Sequence, residues 1–122
     1  MTAMTTDAIA SQGELTARIK DALAPLRPAK VILFGSHAWG QASADSDIDL
    51  YVVTQDDSMP AGYEERMRNH LEVAAALREL NKEVAIDLIV HTKPMHETFV
   101  RLDSTFAREI MGRGQVLYER DR

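Results

Sequence analysis

Two aspartates separated by a single residue, Asp47 and Asp49, stand at the start of an apolar run and could bind a divalent cation. Alternate side chains of a strand share a face, so both carboxylates would lie on the same side. Ionised carboxylates this close repel each other unless a cation neutralises them. Mg²⁺ prefers hard oxygen ligands of this kind. The pair therefore indicates a magnesium site at the beginning of a strand.

A glycine and a serine, Gly35 and Ser36, follow the apolar run 31–34 and could bind phosphate. Glycine lets the backbone approach a ligand closely, and amides at a helix start, together with a hydroxyl, bind phosphate oxygens. A phosphate site beside metal-binding carboxylates is the chemistry of nucleoside triphosphates. A Walker loop is excluded because Gln41 and Ala42 occupy its Lys and Ser/Thr positions, and no G-x-G-x-x-G loop is present.

A third carboxylate, Asp87, interrupts the apolar run Glu83–Val90, which predicts a central strand buried on both faces. An unpaired buried carboxylate is costly, so Asp87 needs a partner or a metal. Taken alone, Asp87 fits equally well a structural role, as a loop cap or an arginine partner. Together with Asp47 and Asp49 it favours a third ligand of the metal site.

Periodicity and turn residues predict the helices and strands that must position these residues. The final helix begins after Thr92, which can cap it, and ends at Gly112 and Gly114. The predicted elements before and after it are a helix over Ser11–Ala24, strands over Lys30–Phe34, Asp47–Thr54 and Glu83–Val90, a helical turn over His37–Gln41, a helix over Tyr63–Leu80 and an edge strand over Gln115–Tyr118.

Three of the predicted helices carry apolar residues at the spacing of one buried face. These faces consist of Leu15, Ile19, Ala22, Leu23 and Leu26 at the first helix, of Tyr63, Met67, Leu71, Ala74 and Leu77 in the next long helix and of Phe99, Leu102, Phe106 and Ile110 in the last. The histidines His70, His91 and His96 have no ligand spacing with one another, so we expect them at the surface.

Length and composition narrow the class of protein. The 122 residues fit a single domain over 1–122, with residues 1–10 expected to be frayed. The net charge of −5 argues against avid, non-specific nucleic-acid binding, so we expect no direct nucleic-acid partner. The absence of cysteine excludes disulfides and thiolate metal sites and fits a cytoplasmic protein. No apolar run approaches the length of a membrane span, so we expect no membrane association.

Gly35-Ser36, followed after ten residues by Asp-x-Asp, resembles the signature of the DNA-polymerase-β-like nucleotidyltransferases, in particular the minimal nucleotidyltransferase (MNT) proteins. The resemblance covers most of the chain, including the C-terminal I-M-G-R-G-Q-V-L-Y-E. It implies an α/β (α+β) fold, with a small mixed β-sheet of three to four strands and helices packed mainly on one face. The chain departs from the family's frequent G-S-R-A-R-G, because His37 and Trp39 replace the two arginines.

The same resemblance implies a role for each candidate residue. Gly35 and Ser36 would hold the triphosphate of ATP, the substrate. Two Mg²⁺ ions would be bound by Asp47, Asp49 and Asp87. Asp87 would also accept the proton of the attacking hydroxyl, AMP would be transferred, and pyrophosphate would leave.

MNT proteins of this size look like the antitoxins of HEPN/MNT toxin–antitoxin pairs. The resemblance therefore implies a hetero-oligomer with a helical HEPN ribonuclease toxin and transfer of AMP to a tyrosine hydroxyl of that toxin. Two alternatives remain open. One is an enzyme acting on a small, aminoglycoside-like hydroxylated molecule, and the other is a non-catalytic module that neutralises a partner protein by binding.

Overall fold

The computed structural model describes residues 12–38 and 47–120. Within these ranges no helix has both the length and the apolar character needed to cross a membrane. In chain order the elements are α1 (Gln12–Leu23), a 3₁₀ turn (Ala24–Leu26), β1 (Lys30–Phe34), β2 (Ile48–Val53), α2 (Tyr63–Ala76), α3 (Arg78–Asn81), β3 (Ile86–His91), α4 (Lys93–Leu102), α5 (Thr105–Arg113) and β4 (Gln115–Glu119). The mixed α/β fold class is confirmed.

The four strands form one mixed sheet in the order β3-β2-β1-β4. Strand β1 runs antiparallel to β2 and β4, whereas β3 runs parallel to β2. The predicted edge position of the last strand is confirmed, but the predicted central position of the strand over Glu83–Val90 is wrong. Strand β3 lies at the other edge, and its apolar run is explained by helices that pack on both of its faces.

The larger hydrophobic core lies on one face of the sheet, where α1, α2 and α3 cover alternate residues of β1 and β2. The helix predicted near the N-terminus buries the expected stripe, since Leu15, Ile19 and Leu23 are at most 1% exposed. The core on this face consists of Leu15, Ile19, Leu23, Val31, Leu33, Ile48, Leu50, Val52, Val73, Leu77, Leu80 and Leu117.

A smaller core lies on the opposite face, where α4 and α5 pack. It contains Ile32, Tyr51, Val53 and Ile110, with Phe99 packed against them. The helices therefore cover both faces, and the larger number of them lies on the first face, in agreement with the expected distribution.

Two helices predicted as continuous are each interrupted. The first ends at Ala76 and restarts as the short α3. The second is broken at Asp103, whose φ of 53° lies in the left-handed region, which stops an α-helix. Ser104 then caps α5, because its side chain accepts a hydrogen bond of 3.0 Å from the Ala107 backbone N–H.

The two helix breaks and the edge position of β3 leave several apolar residues exposed that were predicted to be buried. Helix α2 turns Val73 to the core, while Tyr63 and Leu71 are 68% and 56% exposed. Leu102 is 73% exposed because it ends α4, and Phe106 is also largely exposed. These four residues were wrongly predicted as core, since a helical stripe found by spacing alone does not specify which part of it another element covers.

The expected surface position of two histidines is also wrong. Tyr51 is fully buried in β2, and its hydroxyl lies 3.0 Å from Nδ1 of His91 and 2.7 Å from Nδ1 of His96. A hydroxyl donates one proton, so one imidazole donates to the phenol oxygen and the other accepts from it. Burial raises the pKa of Tyr51 and, as the main cause, lowers the pKa of both half-buried histidines. This cluster joins β2, β3 and α4.

Replacement of Tyr51 by phenylalanine should lower the free energy of unfolding by about 1–3 kcal/mol, because both imidazoles lose their buried partner. Urea denaturation of the wild type and of Tyr51→Phe measures the difference. Tyr63→Phe is the matched control, since Tyr63 is 68% exposed and its loss of a hydroxyl should change little. Equal stability of Tyr51→Phe and the wild type would contradict this account.

Stability should also depend on pH through His91 and His96. Because their pKa values are lower in the folded protein, the unfolded chain binds protons first as the pH drops below 6.5. The free energy of unfolding should therefore be highest above pH 6.5. It should decline below pH 6.5 until both imidazoles are protonated in the folded protein as well. Urea denaturation at about pH 7.5, 6.5 and 5.5 measures this slope, which should be smaller in the double variant His91→Gln/His96→Gln. An unchanged slope would show that these histidines do not cause it.

Candidate functional site

The parallel pairing of β2 and β3 brings two of the predicted acids together. The strands are in register, so Asp49 lies directly opposite Asp87 and both side chains point to the same face. Their carboxyl groups are close enough for Asp87 to act on the ionisation of Asp49. Two ionised carboxylates at this separation repel each other unless a cation neutralises them.

Four effects raise the pKa of Asp49 above its ordinary value. Partial burial is the largest, followed by the charge and the hydrogen bond of Asp87, and then by the charge of Asp47. The imidazole of His37 acts in the opposite direction and favours the ionised carboxylate. His37 therefore lies within electrostatic reach of the acids.

The third predicted ligand, Asp47, is less closely associated with the pair. It precedes the first residue of β2, and its side chain is exposed. In residues 12–38 and 47–120, no three histidine, aspartate or glutamate side chains are grouped as a complete metal site. Asp87 is exposed rather than buried, because β3 is an edge strand. The structure thus places Asp49 opposite Asp87 and keeps Asp47 close enough for its charge to act on Asp49.

The turn after β1 lies against the same carboxyl group. Phe34, the last residue of β1, pairs with Asp49, and Gly35 follows with a φ of +78°. A Cβ atom at Gly35 would overlap Asp49 Oδ2 and lie 3.1 Å from its Cγ. The left-handed backbone and the close approach both require glycine here.

The candidate phosphate-binding residue Ser36 lies in this turn and is half-buried. The Ala38 backbone N–H donates a hydrogen bond of 3.0 Å to the Gly35 carbonyl and closes the turn. Residues 35–38 form a turn and not yet a helix, and the remainder of the predicted helical turn, with Trp39, lies outside the described residues. Gly35 and Ser36 are therefore held beside Asp49, as a phosphate site next to a metal site requires.

The donor set fits a hard divalent cation. Asp49 and Asp87 provide adjacent oxygen ligands, Asp47 adds a nearby negative charge, and Gly35 lets the turn lie directly against the Asp49 carboxyl group. A cation between the two carboxyl groups would remove their repulsion. The residues present can thus hold Mg²⁺ beside a bound phosphate.

The family model described as "Polymerase beta, Nucleotidyltransferase" matches residues 17–122. The chain belongs to this nucleotidyltransferase family. The minimal nucleotidyltransferase domain expected from the Gly-Ser and Asp-x-Asp spacing is thereby confirmed. A search among curated protein sequences found no match.

Solved structures share the fold of this nucleotidyltransferase. A putative nucleotidyltransferase from Sulfolobus solfataricus is 20% identical, with a TM-score of 0.61 over 94% of this chain and 89% of that one. A toxin–antitoxin crystallised with AMP-PNP is 23% identical, with a TM-score of 0.52 over 87% and 74% of the two chains. A mutant of the toxin–antitoxin MntA-HpeT is 19% identical, with a TM-score of 0.50 and the same coverage. At these identities the likeness concerns the fold.

Asp49→Asn should raise the free energy of unfolding by roughly 0.2–1 kcal/mol in the absence of divalent cations, because it removes one of two opposed carboxylates. The sign follows from the raised pKa of Asp49: its ionised form is less favourable in the folded protein than in the unfolded chain. Thermal unfolding with and without Mg²⁺ measures both stability and cation binding. Mg²⁺ should raise the Tm of the wild type and have much less effect on the variant.

Asp21→Asn is the matched control, since Asp21 is exposed on α1, away from the site, and its variant should respond to Mg²⁺ like the wild type. An Asp49→Asn protein that is less stable than the wild type, or that keeps the full Mg²⁺ response, would contradict the assignment.

Proposed function

We propose that this protein is a Mg²⁺-dependent nucleotidyltransferase that transfers AMP from ATP to a tyrosine hydroxyl of a partner toxin and so acts as its antitoxin. The observation that carries the proposal is the contact between Asp49 and Asp87, directly beside the Gly35 turn, within a nucleotidyltransferase fold. Carboxylates that lie directly beside a glycine turn can hold the metal and the phosphates of one nucleotide.

Each residue would have a defined task in the transfer. The backbone of Gly35 and Ser36, with the Ser36 hydroxyl, would bind the β- and γ-phosphates. Asp87 would accept the proton of the acceptor hydroxyl. The acceptor oxygen would form a bond to the α-phosphorus while the bond from that phosphorus to the β-phosphate oxygen breaks, and pyrophosphate would leave.

Asp47, Asp49 and Asp87 would hold two Mg²⁺ ions. When bound, these ions would neutralise the triphosphate and the charge that develops on the attacking and leaving oxygens. The protein's own contribution would be positioning, because such transfers depend chiefly on alignment and charge stabilisation. The exposed position of Asp87 supports this role, since an acceptor from another molecule can reach it.

Two observations support ATP and a toxin as the partners. One structural neighbour was crystallised with AMP-PNP, an ATP analogue, and two neighbours are toxin–antitoxin proteins. The net charge of −5 suits a basic, RNA-cleaving partner such as the helical HEPN ribonuclease implied by the sequence motif.

Asp87→Asn should reduce AMP transfer by roughly 10²–10⁴-fold, because the proton acceptor is lost, while the protein stays folded. The assay incubates the purified protein with Mg·ATP and the candidate toxin from the neighbouring reading frame, followed by mass spectrometry of that toxin. Asp21→Asn again serves as the control and should transfer AMP at the rate of the wild type.

The same assay separates the alternatives. An AMP adduct on a toxin tyrosine supports the proposal, whereas inhibition of the toxin without an adduct would favour a non-catalytic binding module. An adduct on an added aminoglycoside, with none on the toxin, would favour a small-molecule transferase. Wild-type turnover by Asp87→Asn would contradict the role given to that carboxylate.

A further inference from the structure

Two large apolar side chains are exposed where α4 and α5 meet. Leu102, the last residue of α4, is 73% exposed, and Phe106, in the first turn of α5, is 45% exposed. A single exposed apolar residue needs no explanation, but exposed apolar residues that lie together mark a binding surface. Residues 102–106, called the α4–α5 corner below, are therefore a candidate binding surface.

Ring contacts place this corner on the face of the sheet that carries Asp49. Phe34 of β1 pairs with Asp49 of β2, so the two side chains are neighbours on one face, with Cβ atoms about 5 Å apart. Phe34 packs against the smaller core on that face. The rings of Phe34 and Phe106 pack edge to face, with centroids 5.8 Å apart. Phe106 therefore lies one ring away from Asp49.

Helix α4 leads along the same face towards the end of the sheet that carries the acids. Phe99 of α4 stacks on Tyr51, with ring centroids 5.1 Å apart, and it also contacts Phe106 at 6.2 Å. Tyr51 follows Asp49 by two residues in β2, whereas Phe34 lies directly opposite Asp49. The contacts thus progress along the strand, from Tyr51 to Phe34, and the α4–α5 corner lies at the acid end.

The backbone of the corner is held in one conformation by its own side chains. Asp103 has a φ of 53°, which is uncommon for residues other than glycine. Arg108 stabilises it, because its Nε and Nη2 donate hydrogen bonds of 3.0 and 2.7 Å to the two carboxylate oxygens of Asp103. Uncommon backbone conformations of this kind cluster at binding sites. Leu102 and Phe106 are thus presented to solvent by a fixed turn.

The occupant of this surface follows from the proposed function, on which this step rests. A toxin that places a tyrosine hydroxyl at Asp87 also places its surrounding surface against this protein. A stable protein–protein contact covers roughly 800 Å² on each partner, far more than one tyrosine, so it must extend over the surface next to the acids. The corner adds an apolar centre flanked by the charged Asp103 and Arg108, as is typical of such contacts.

We infer that the α4–α5 corner is the surface on which the toxin docks, with Leu102 and Phe106 inserted into an apolar recess of that protein while its tyrosine reaches Asp87. Both residues bind the toxin surface and touch no reacting atom. Their loss should therefore weaken the affinity for the toxin and leave the binding of the nucleotide unchanged.

The test is isothermal titration calorimetry of the purified full chain with the candidate toxin from the neighbouring reading frame. Leu102→Ser should weaken binding about tenfold, because it removes an apolar anchor. Leu71→Ser is the matched control, since Leu71 is also exposed, at 56%, but lies on α2, which covers the other face of the sheet. Its affinity should equal that of the wild type.

Phe106→Ala is a second variant and should also weaken binding about tenfold. If its lost contact with Phe34 disturbs folding, Leu102→Ser still decides, because an exposed side chain contributes little to the fold. The stabilisation by Mg·ATP, measured as a Tm shift, should be the same in all three variants. A smaller Tm shift for Phe106→Ala would assign that ring to the nucleotide and overturn its docking role.

Toxin binding that Leu102→Ser leaves unaltered would overturn the docking surface alone. So would a dimer of this chain that Leu102→Ser dissociates in sedimentation experiments, since a second copy would then occupy the corner. A toxin that binds through Leu102 but receives no AMP would overturn the proposed transfer and confirm the docking surface. A wild-type protein that does not bind the toxin would overturn both, so the two failures are distinguished.

Discussion

The contact on which the site depends is the in-register, parallel pairing of β2 with β3, which places the carboxyl groups of Asp49 and Asp87 against each other. This arrangement is unfavourable without a proton or a cation between the two groups. A displacement of β3 by one residue would turn Asp87 to the other face and separate the pair. The register is therefore the feature that the rest of the molecule must maintain.

Burial on both faces of the sheet fixes that register. Ile48 and Leu50 of β2 are fully buried on one face, while Tyr51 is buried on the face that also carries the acids. The hydroxyl of Tyr51 binds His91 at the end of β3 and His96 in α4, so the two strands are linked again beyond the carboxylate pair. Apolar packing and this polar cluster offset the cost of the opposed acids. Functional sites are typically stabilised in this way by the structure around them.

Local patterns predicted those parts of the fold that local interactions determine. The bounds of β1, the stripe on α1 and the edge position of β4 followed from periodicity. The Asp-x-Asp spacing indicated Asp49, and the interrupted apolar run Glu83–Val90 indicated Asp87, which lies opposite it. The break at Asp103 was missed because its left-handed conformation has no glycine to signal it. The edge position of β3 and the contacts of His91 and His96 depend on which distant elements pack together, and neither spacing nor composition encodes that.

Cation binding between Asp49 and Asp87 is tested most directly by paramagnetic broadening of backbone amide signals with substoichiometric Mn²⁺, which substitutes for Mg²⁺ on oxygen ligands. The signals of Gly35, Asp49 and Asp87 should broaden first and together, and excess Mg²⁺ should restore them. Broadening confined to the exposed acids Asp56 and Asp57, with the Asp49 and Asp87 signals unaffected, would contradict this assignment.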